Sequence, residues 1–178
     1  MENHPTDYER FVAPIEDQMI RSVWRIVRDR DDFDEAFQEA LATVWKRLDK
    51  VRRHPNPHAL ILRICANAAY DALRRRSRRQ KHEVFDLPET LPDPAPAATD
   101  LISADEDREE IFQAIAQLPR NQAEAFLMRF VQELEYSQIA QALGCSEVTA
   151  RTHVARARAK LSNSLAHLDP RPAKEVCE

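Results

Sequence analysis

The sequence predicts an all-α fold of two small helical domains joined by an extended acidic linker. Three observations carry that prediction. The 178 residues include a single glycine, Gly144, beside eleven prolines, and one glycine is too few for the hairpin turns of a β-rich fold. Alanine, leucine, arginine, glutamate and glutamine dominate, and all favour helices. Apolar residues recur at three-to-four spacing on both sides of a proline-rich interruption near residues 86–98.

The first helical stretch runs from about Tyr8 to Arg28, with Tyr8, Phe11, Val12, Ile15, Met19, Val23 and Ile26 at helical spacing. Pro14 either kinks it or makes it start again. Asp29 to Asp32 reads as a charged turn. A second helix, about Phe33 to Val51, carries Phe37, Leu41, Val44, Trp45 and Leu48 on one stripe. His54-Pro55-Asn56-Pro57 breaks the pattern.

A third helix follows, about His58 to Lys81. One side is apolar (Leu60, Ile61, Ile64, Ala68, Ala72). The other carries Arg63, Asn67, Tyr70, Arg74 and Arg78 at steps of four, three, four and four, which puts them along one face. The segment DLPETLPDPAPAA at 86–98 has too few large apolar side chains to fold alone and reads as a linker.

Helical pattern resumes near Asp100. Ile111, Ile115 and Leu118 mark one helix, stopped by Pro119. Another spans about Asn121 to Val131, with Ala123, Phe126, Leu127 and Phe130 inward. The last unit is sharper. YSQIAQAL, 136–143, is a short helix ended by Gly144 in a left-handed position. Ser146 caps a longer helix from Glu147 to about Leu165, whose inward stripe is Ala150, Val154, Ala157 and Leu161. Short helix, glycine turn and longer helix make a helix-turn-helix. The expected organisation is a first domain over 1–85, a linker over 86–104, a second domain over 105–168 and a disordered tail over 169–178.

Composition excludes several classes. No apolar run approaches the ~20 residues of a membrane span, and MENHPTDYER lacks the features of a signal peptide. Membrane insertion is not expected. Cys65, Cys145 and Cys177 are far apart and odd in number, as suits reduced thiols in a cytoplasmic protein. A single glycine rules out Gly-rich phosphate loops. The six histidines are scattered without metal-ligand spacing, and no nucleophile–base or carboxylate pair stands out. No cofactor, no metal and no enzymatic activity are expected.

Net charge is −4, but its distribution is uneven. Residues 1–85 carry 17 basic and 14 acidic side chains, residues 86–110 one and nine, residues 111–178 eight and seven. Two mildly basic ends flank an acidic connector. The basic surplus concentrates on the third helix, where Arg74, Arg75, Arg76, Arg78 and Arg79 are nearly continuous. Such a cluster neutralises phosphates. A solvated helix end would explain the charge alone. It would not explain Asn67 and Tyr70 on the same face, an amide suited to a base edge and a ring suited to stacking.

On the last helix, base-reading residues belong near the N-terminus. Ser146, Glu147, Thr149, Arg151 and Thr152 are the candidates there, and Arg156 and Arg158 suit phosphates further along. The alternative for this segment is a helical hairpin with a charged outer face. On the second helix, Asp34, Glu35, Gln38 and Glu39 make an acidic side fit to dock a basic partner, while Phe37, Leu41 and Trp45 serve as core or as contact.

These pieces, in this order, resemble the bacterial sigma-70 family of RNA polymerase sigma factors. FDEAFQEALATVWKRLDKV resembles the family's polymerase-clamp segment, with Gln38, Glu39 and Trp45. HALILRICANAAYDALRRRSRR resembles the helix that follows it, with Arg63, Ile64, Asn67, Asp71 and the run from Arg74 to Arg79. LPRNQAEAFLMRFVQELEYSQIAQALGCSEVTARTHVARARAKL resembles the family's C-terminal domain. The resemblance covers about residues 8–82 and 105–165, and the short length is similar to the extracytoplasmic-function subgroup.

It implies that Asp34, Glu35, Phe37, Gln38, Glu39, Leu41 and Trp45 bind the clamp of core RNA polymerase. Arg63, Asn67, Tyr70, Asp71, Arg74, Arg75 and Arg78 would hold single-stranded −10 DNA, and the last helix would read the −35 duplex of promoter DNA beside the polymerase flap. An anti-sigma factor is a further partner that the resemblance implies. Glu133 stands where the family usually has glycine, Glu135 where it has a serine or threonine cap, and Val148 where glycine is frequent. The competing readings are a stand-alone helix-turn-helix regulator, which has no use for the Gln38–Trp45 helix and the Arg63–Arg79 face, and a sigma-like adaptor.

Overall fold

The computed structural model describes residues 6–86 and 99–168, with side chains over 6–80 and 106–168. Every regular element among the described residues is helical. The chain enters through one wide turn, Tyr8–Val12, and a tight turn, Ala13–Ile15, that takes Pro14 where its missing N–H costs little. Helix α1 then spans Glu16–Val27. The expected single stretch therefore starts again after Pro14.

Helix α2, Arg30–Lys46, begins earlier than expected. Asp29 caps it by accepting a 3.0 Å hydrogen bond from the Asp32 amide, so the charged turn is the helix's own first turn. The expected single helix to Val51 is two: α2 stops at Arg47, and α3 follows over Leu48–Arg53. Asn56 then accepts from the Ala59 amide at 3.1 Å and starts α4, Pro57–Asp86, with proline in the first position.

Helix α5 spans Thr99–Ala116. Helix α4 reaching Asp86 and α5 starting at Thr99 correct the linker expected over 86–104. Its four prolines all lie between 88 and 96, and the proline-free residues 99–104 continue as helix. The proline-rich core of that linker and the tail lie outside the described residues. Helices α6 (Arg120–Phe130), α7 (Tyr136–Leu143) and α8 (Glu147–Ser164) complete the chain, with a closing tight turn at Ala166–Leu168.

Helix α4 is the hub. It packs against α1 and α2 on one side and α5, α6 and α7 on the other. The predicted apolar side is buried, but so are Leu62, Cys65, Ala66, Ala69, Tyr70 and Leu73. A helix buried around its girth joins the two halves of a single core.

Helix α2 meets α4 through small residues, Ala36, Ala40 and Val44. This close approach leaves the larger Phe33, Phe37 and Leu41 half-buried at the edges. On α6 the buried set is Ala123, Glu124, Ala125, Leu127 and Met128. Phe130, expected inward, is 48% exposed, because α6 is sandwiched between α8 and α4 and its inward side is rotated toward Glu124.

Candidate nucleic-acid interface

The helix-turn-helix forms through local turn chemistry. Gly144 takes φ +69° and ends α7, with the Cys145 amide donating to the Ala140 carbonyl at 3.0 Å. Ser146 Oγ accepts from the Thr149 amide at 3.1 Å and lies 2.8 Å from Thr149 Oγ1. Thr152 Oγ1 donates to the Val148 carbonyl at 2.8 Å. The hydroxyls of Ser146, Thr149 and Thr152 thus serve the helix backbone first.

Of the residues expected to read duplex, Glu147, Arg151, Arg156 and Arg158 are exposed. Arg151 Nη2 donates to Glu147 Oε1 at 2.6 Å, and its guanidinium sits 4.3 Å from the centre of the Tyr136 ring. That stacking holds Arg151 extended from the first turns of α8. Val148, absent from the expected base-reading set, is 74% exposed on the same first turn. Its position between Glu147 and Thr149 was the available signal.

The turn before α7 carries the sequence departures. Glu133 has φ +59°, the left-handed region that favours glycine. Glu135 precedes α7, and its amide donates to Gln138 Oε1 at 2.9 Å. Arg129 Nη1 approaches Glu135 Oε1 at 3.6 Å.

The face of α4 expected to hold a single strand is assembled along one side of the helix, but it is covered. Arg63 Nε donates to Glu124 Oε2 and Arg63 Nη1 to the Ala142 carbonyl, each at 2.8 Å. The Tyr70 ring is 1% exposed, its hydroxyl donates to the Leu118 carbonyl at 2.6 Å, and burial raises its pKa. Asp71 accepts from Arg120 at 3.0 Å. Tyr70 is therefore not presented for stacking in this arrangement, because its ring is buried and its hydroxyl is held by Leu118. Asn67 lines a cleft of about 470 Å³ between α2, α4 and α6, and its Oδ1 is buried without a hydrogen-bond partner.

Further along α4 the basic run is divided. Arg75 pairs with Glu35 and Glu39, each at 3.4 Å, and Arg76 with Glu109 at 2.7 Å. Arg79 pairs with Asp32 at 2.8 Å. Arg74 lies 5.8 Å from the Tyr70 ring centre, and Arg78 is exposed.

On α2, Asp34, Glu35, Gln38, Glu39 and Trp45 are all exposed, beside the half-buried Phe37 and Leu41. Phe33 and Phe37 stack at 5.5 Å, and Trp24 meets Phe33 edge-on at 5.6 Å. This gives one acidic helix with an aromatic margin, open to a partner.

Among the described residues no helix is long and apolar enough to cross a membrane, and no group of His, Cys, Asp and Glu is arranged to hold a metal. Cys65 and Cys145 are free thiols. Burial pushes Cys65 up to about 12. Cys145 is also raised by burial, partly offset by the charge of Arg63 across the seam.

Comparison with known proteins gives this geometry a family. Residues 11–79 match Sigma-70 region 2 and residues 108–161 match Sigma-70, region 4. The probable RNA polymerase sigma factor RfaY of Xanthomonas campestris is 27% identical over 89% of this chain. The chain spans only 40% of that relative's length. The RNA polymerase sigma-E factor of Streptomyces coelicolor is 25% identical over 92% of this chain and 88% of its own.

Among solved structures, the sigma factor RpoE in complex with the anti-sigma factor NepR from Bartonella quintana shares the fold. It has a TM-score of 0.53 and 21% identity over 94% of this chain and 100% of that one. With both regions matched in this order, the chain belongs to the sigma-70 family of RNA polymerase sigma factors, in its extracytoplasmic-function group.

Proposed function

We propose that this chain binds core RNA polymerase and directs it to a specific set of promoters. One observation carries the reading: a single chain holds a region 2 match and a region 4 match, the first with an exposed acidic docking helix, the second with an exposed recognition helix. In this reading the outer side of α2 (Asp34, Glu35, Gln38, Glu39, with Phe37, Leu41 and Trp45) meets the polymerase clamp. The basic side of α4 holds the non-template strand of the −10 element, through Arg63, Asn67, Tyr70, Asp71, Arg74, Arg75 and Arg78.

Glu147, Arg151, Arg156 and Arg158 on α8 face the −35 duplex, with Ser146, Thr149 and Thr152 setting the helix's first turns, and this domain also meets the polymerase flap. An acidic connector suits a positively charged nucleic-acid channel. An anti-sigma factor is a further partner, as the Bartonella relative's complex suggests. A stand-alone helix-turn-helix regulator leaves the region 2 match and the α2 surface without a role.

Assembly tests this reading. Core polymerase titrated with the chain is expected to form a stable complex, weakened at least tenfold by the double variant Gln38→Ala, Glu39→Ala with the fold intact by circular dichroism. A chain that binds duplex DNA alone and ignores core polymerase would return the stand-alone regulator.

A further inference from the structure

The start of α7 and the first turns of α8 meet at one aromatic ring. Tyr136 opens α7, and the Glu135 amide before it donates to Gln138 Oε1 at 2.9 Å, which fixes the helix start. Tyr136 is half-buried against the apolar core, so packing holds its ring while part of it stays at the surface. The Arg151 guanidinium lies over that ring at 4.3 Å from its centre, and the Arg129 guanidinium at 5.1 Å. Both distances fall within the ~6 Å at which a ring attracts a cation.

Each guanidinium has a second hold. Arg129 Nη1 donates to the Leu134 carbonyl at 3.0 Å, and the same atom lies 3.6 Å from Glu135 Oε1. Arg151 Nη2 donates to Glu147 Oε1 at 2.6 Å. The Arg129 side chain is 31% exposed and tied to backbone, whereas that of Arg151 is 58% exposed and tied to a ring and an exposed carboxylate. Arg129 belongs to the scaffold around Tyr136, and Arg151 is the one free to reach outward.

We propose that Tyr136 is a positioning residue for Arg151: its ring sets the plane and direction of the guanidinium before duplex arrives, and so acts on the choice of base through Arg151. The proposal rests on the −35 role given to α8 above. A guanidinium pairs with a base edge through two N–H donors in a fixed fork, so its plane decides whether the pairing forms. An arginine free to rotate loses much of that freedom on docking, and a ring that holds the plane beforehand removes part of this cost from the binding step. Glu147 takes one donor of Arg151 and has to share or release it when a base is read. The ring engages the face of the guanidinium and leaves the donors free, so it can stay in place.

Full-length Tyr136→Leu, Tyr136→Phe, Arg151→Ala and the double variant Tyr136→Leu, Arg151→Ala are each assembled with core polymerase. They are compared by competition among promoter duplexes that differ at single −35 positions. Leucine keeps apolar packing without a ring face, and phenylalanine keeps the ring. Tyr136→Leu is expected to lower discrimination by at least about threefold at the position that Arg151→Ala relaxes, and to leave the other positions as in the wild type. Tyr136→Phe is expected to retain the preference. In the Arg151→Ala background, Tyr136→Leu is expected to change nothing further, as for a coupled pair.

A loss spread evenly over all −35 positions, an equal loss in the Arg151→Ala background, or a loss that phenylalanine shares would make Tyr136 a packing residue alone and overturn the proposal. If Tyr136→Leu fails to fold by circular dichroism, Tyr136→Met carries the comparison. Should Arg151→Ala relax one position while Tyr136→Leu leaves it intact, the positioning role falls and base reading by Arg151 stands. Should Arg151→Ala relax no position, base reading by Arg151 falls with it.

Discussion

Arg63 Nε and Glu124 Oε2 lie 2.8 Å apart across 61 residues of sequence, and they join the helix proposed to hold single-stranded DNA to the domain proposed to read duplex. Breaking a buried pair by removing one partner ordinarily costs about 3–5 kcal/mol. Glu124→Ala is expected to cost less than that in urea unfolding, since parting of the two domains returns Arg63 to water. A loss at or above that range would mean that the seam stays shut when its central pair is cut.

Glu133 occupies a left-handed backbone position at φ +59° and makes an exposed, 3.7 Å ion pair with Arg25. Left-handed geometry costs a non-glycine residue about 1–2 kcal/mol, and glycine returns about 0.4–1 kcal/mol of that through unfolded-chain entropy. Glu133→Gly is therefore expected to stabilise the protein by up to about 1 kcal/mol, read from the denaturation midpoint. Destabilisation would show that the exposed pair outweighs the backbone strain.

In the proposed reading, Arg151 and Val148 divide contact with the duplex between charge and shape. Arg151→Ala is expected to relax preference at one position of the −35 element by about 1–3 kcal/mol, measured by competition among duplexes in the holoenzyme. A uniform loss across sequences would assign Arg151 to phosphate instead. Val148, 74% exposed with no packing role, is placed to contact a thymine methyl. Replacing thymines of the element by deoxyuridine should weaken the wild type at one position and leave Val148→Ala indifferent there.

The thiols separate by burial. Cys65 is fully enclosed beside α4's apolar neighbours and pushed up to about 12, while Cys145 is half-buried at the turn after Gly144. At pH 8 an alkylating reagent is expected to label Cys145 and spare Cys65 until denaturant is added. Early labelling of Cys65 would place an opening motion within the first domain's core.

Legibility in the sequence followed locality. The α7–Gly144–Ser146–α8 unit was readable almost to the residue, because a left-handed glycine and a serine cap act within a few positions. Pro14 and the proline pair before α4 marked their breaks for the same reason. The sequence did not reveal that α4 is buried on both sides, since the apolar stripe of one helix does not say how many neighbours it has. Glu124 sits inside an apolar pattern that gives no sign of it, although it is the acid on which Arg63 and Arg120 converge. Tyr70 lay on the predicted face of α4, but its burial depends on Leu118, 48 residues away. Trp45, Asp34, Glu35 and Glu39 of α2 are exposed, because α2 rests on alanines and needs little of its surface for the core.

Transcription in vitro tests the central claim most directly. Core polymerase, the full-length chain and a library of upstream sequences are combined, and the transcripts are sequenced. The account predicts new starts that require the chain and lie below paired −35 and −10 sequences, with the −35 preference altered by Arg151→Ala. Duplex binding without polymerase, and no new starts with it, would contradict the account.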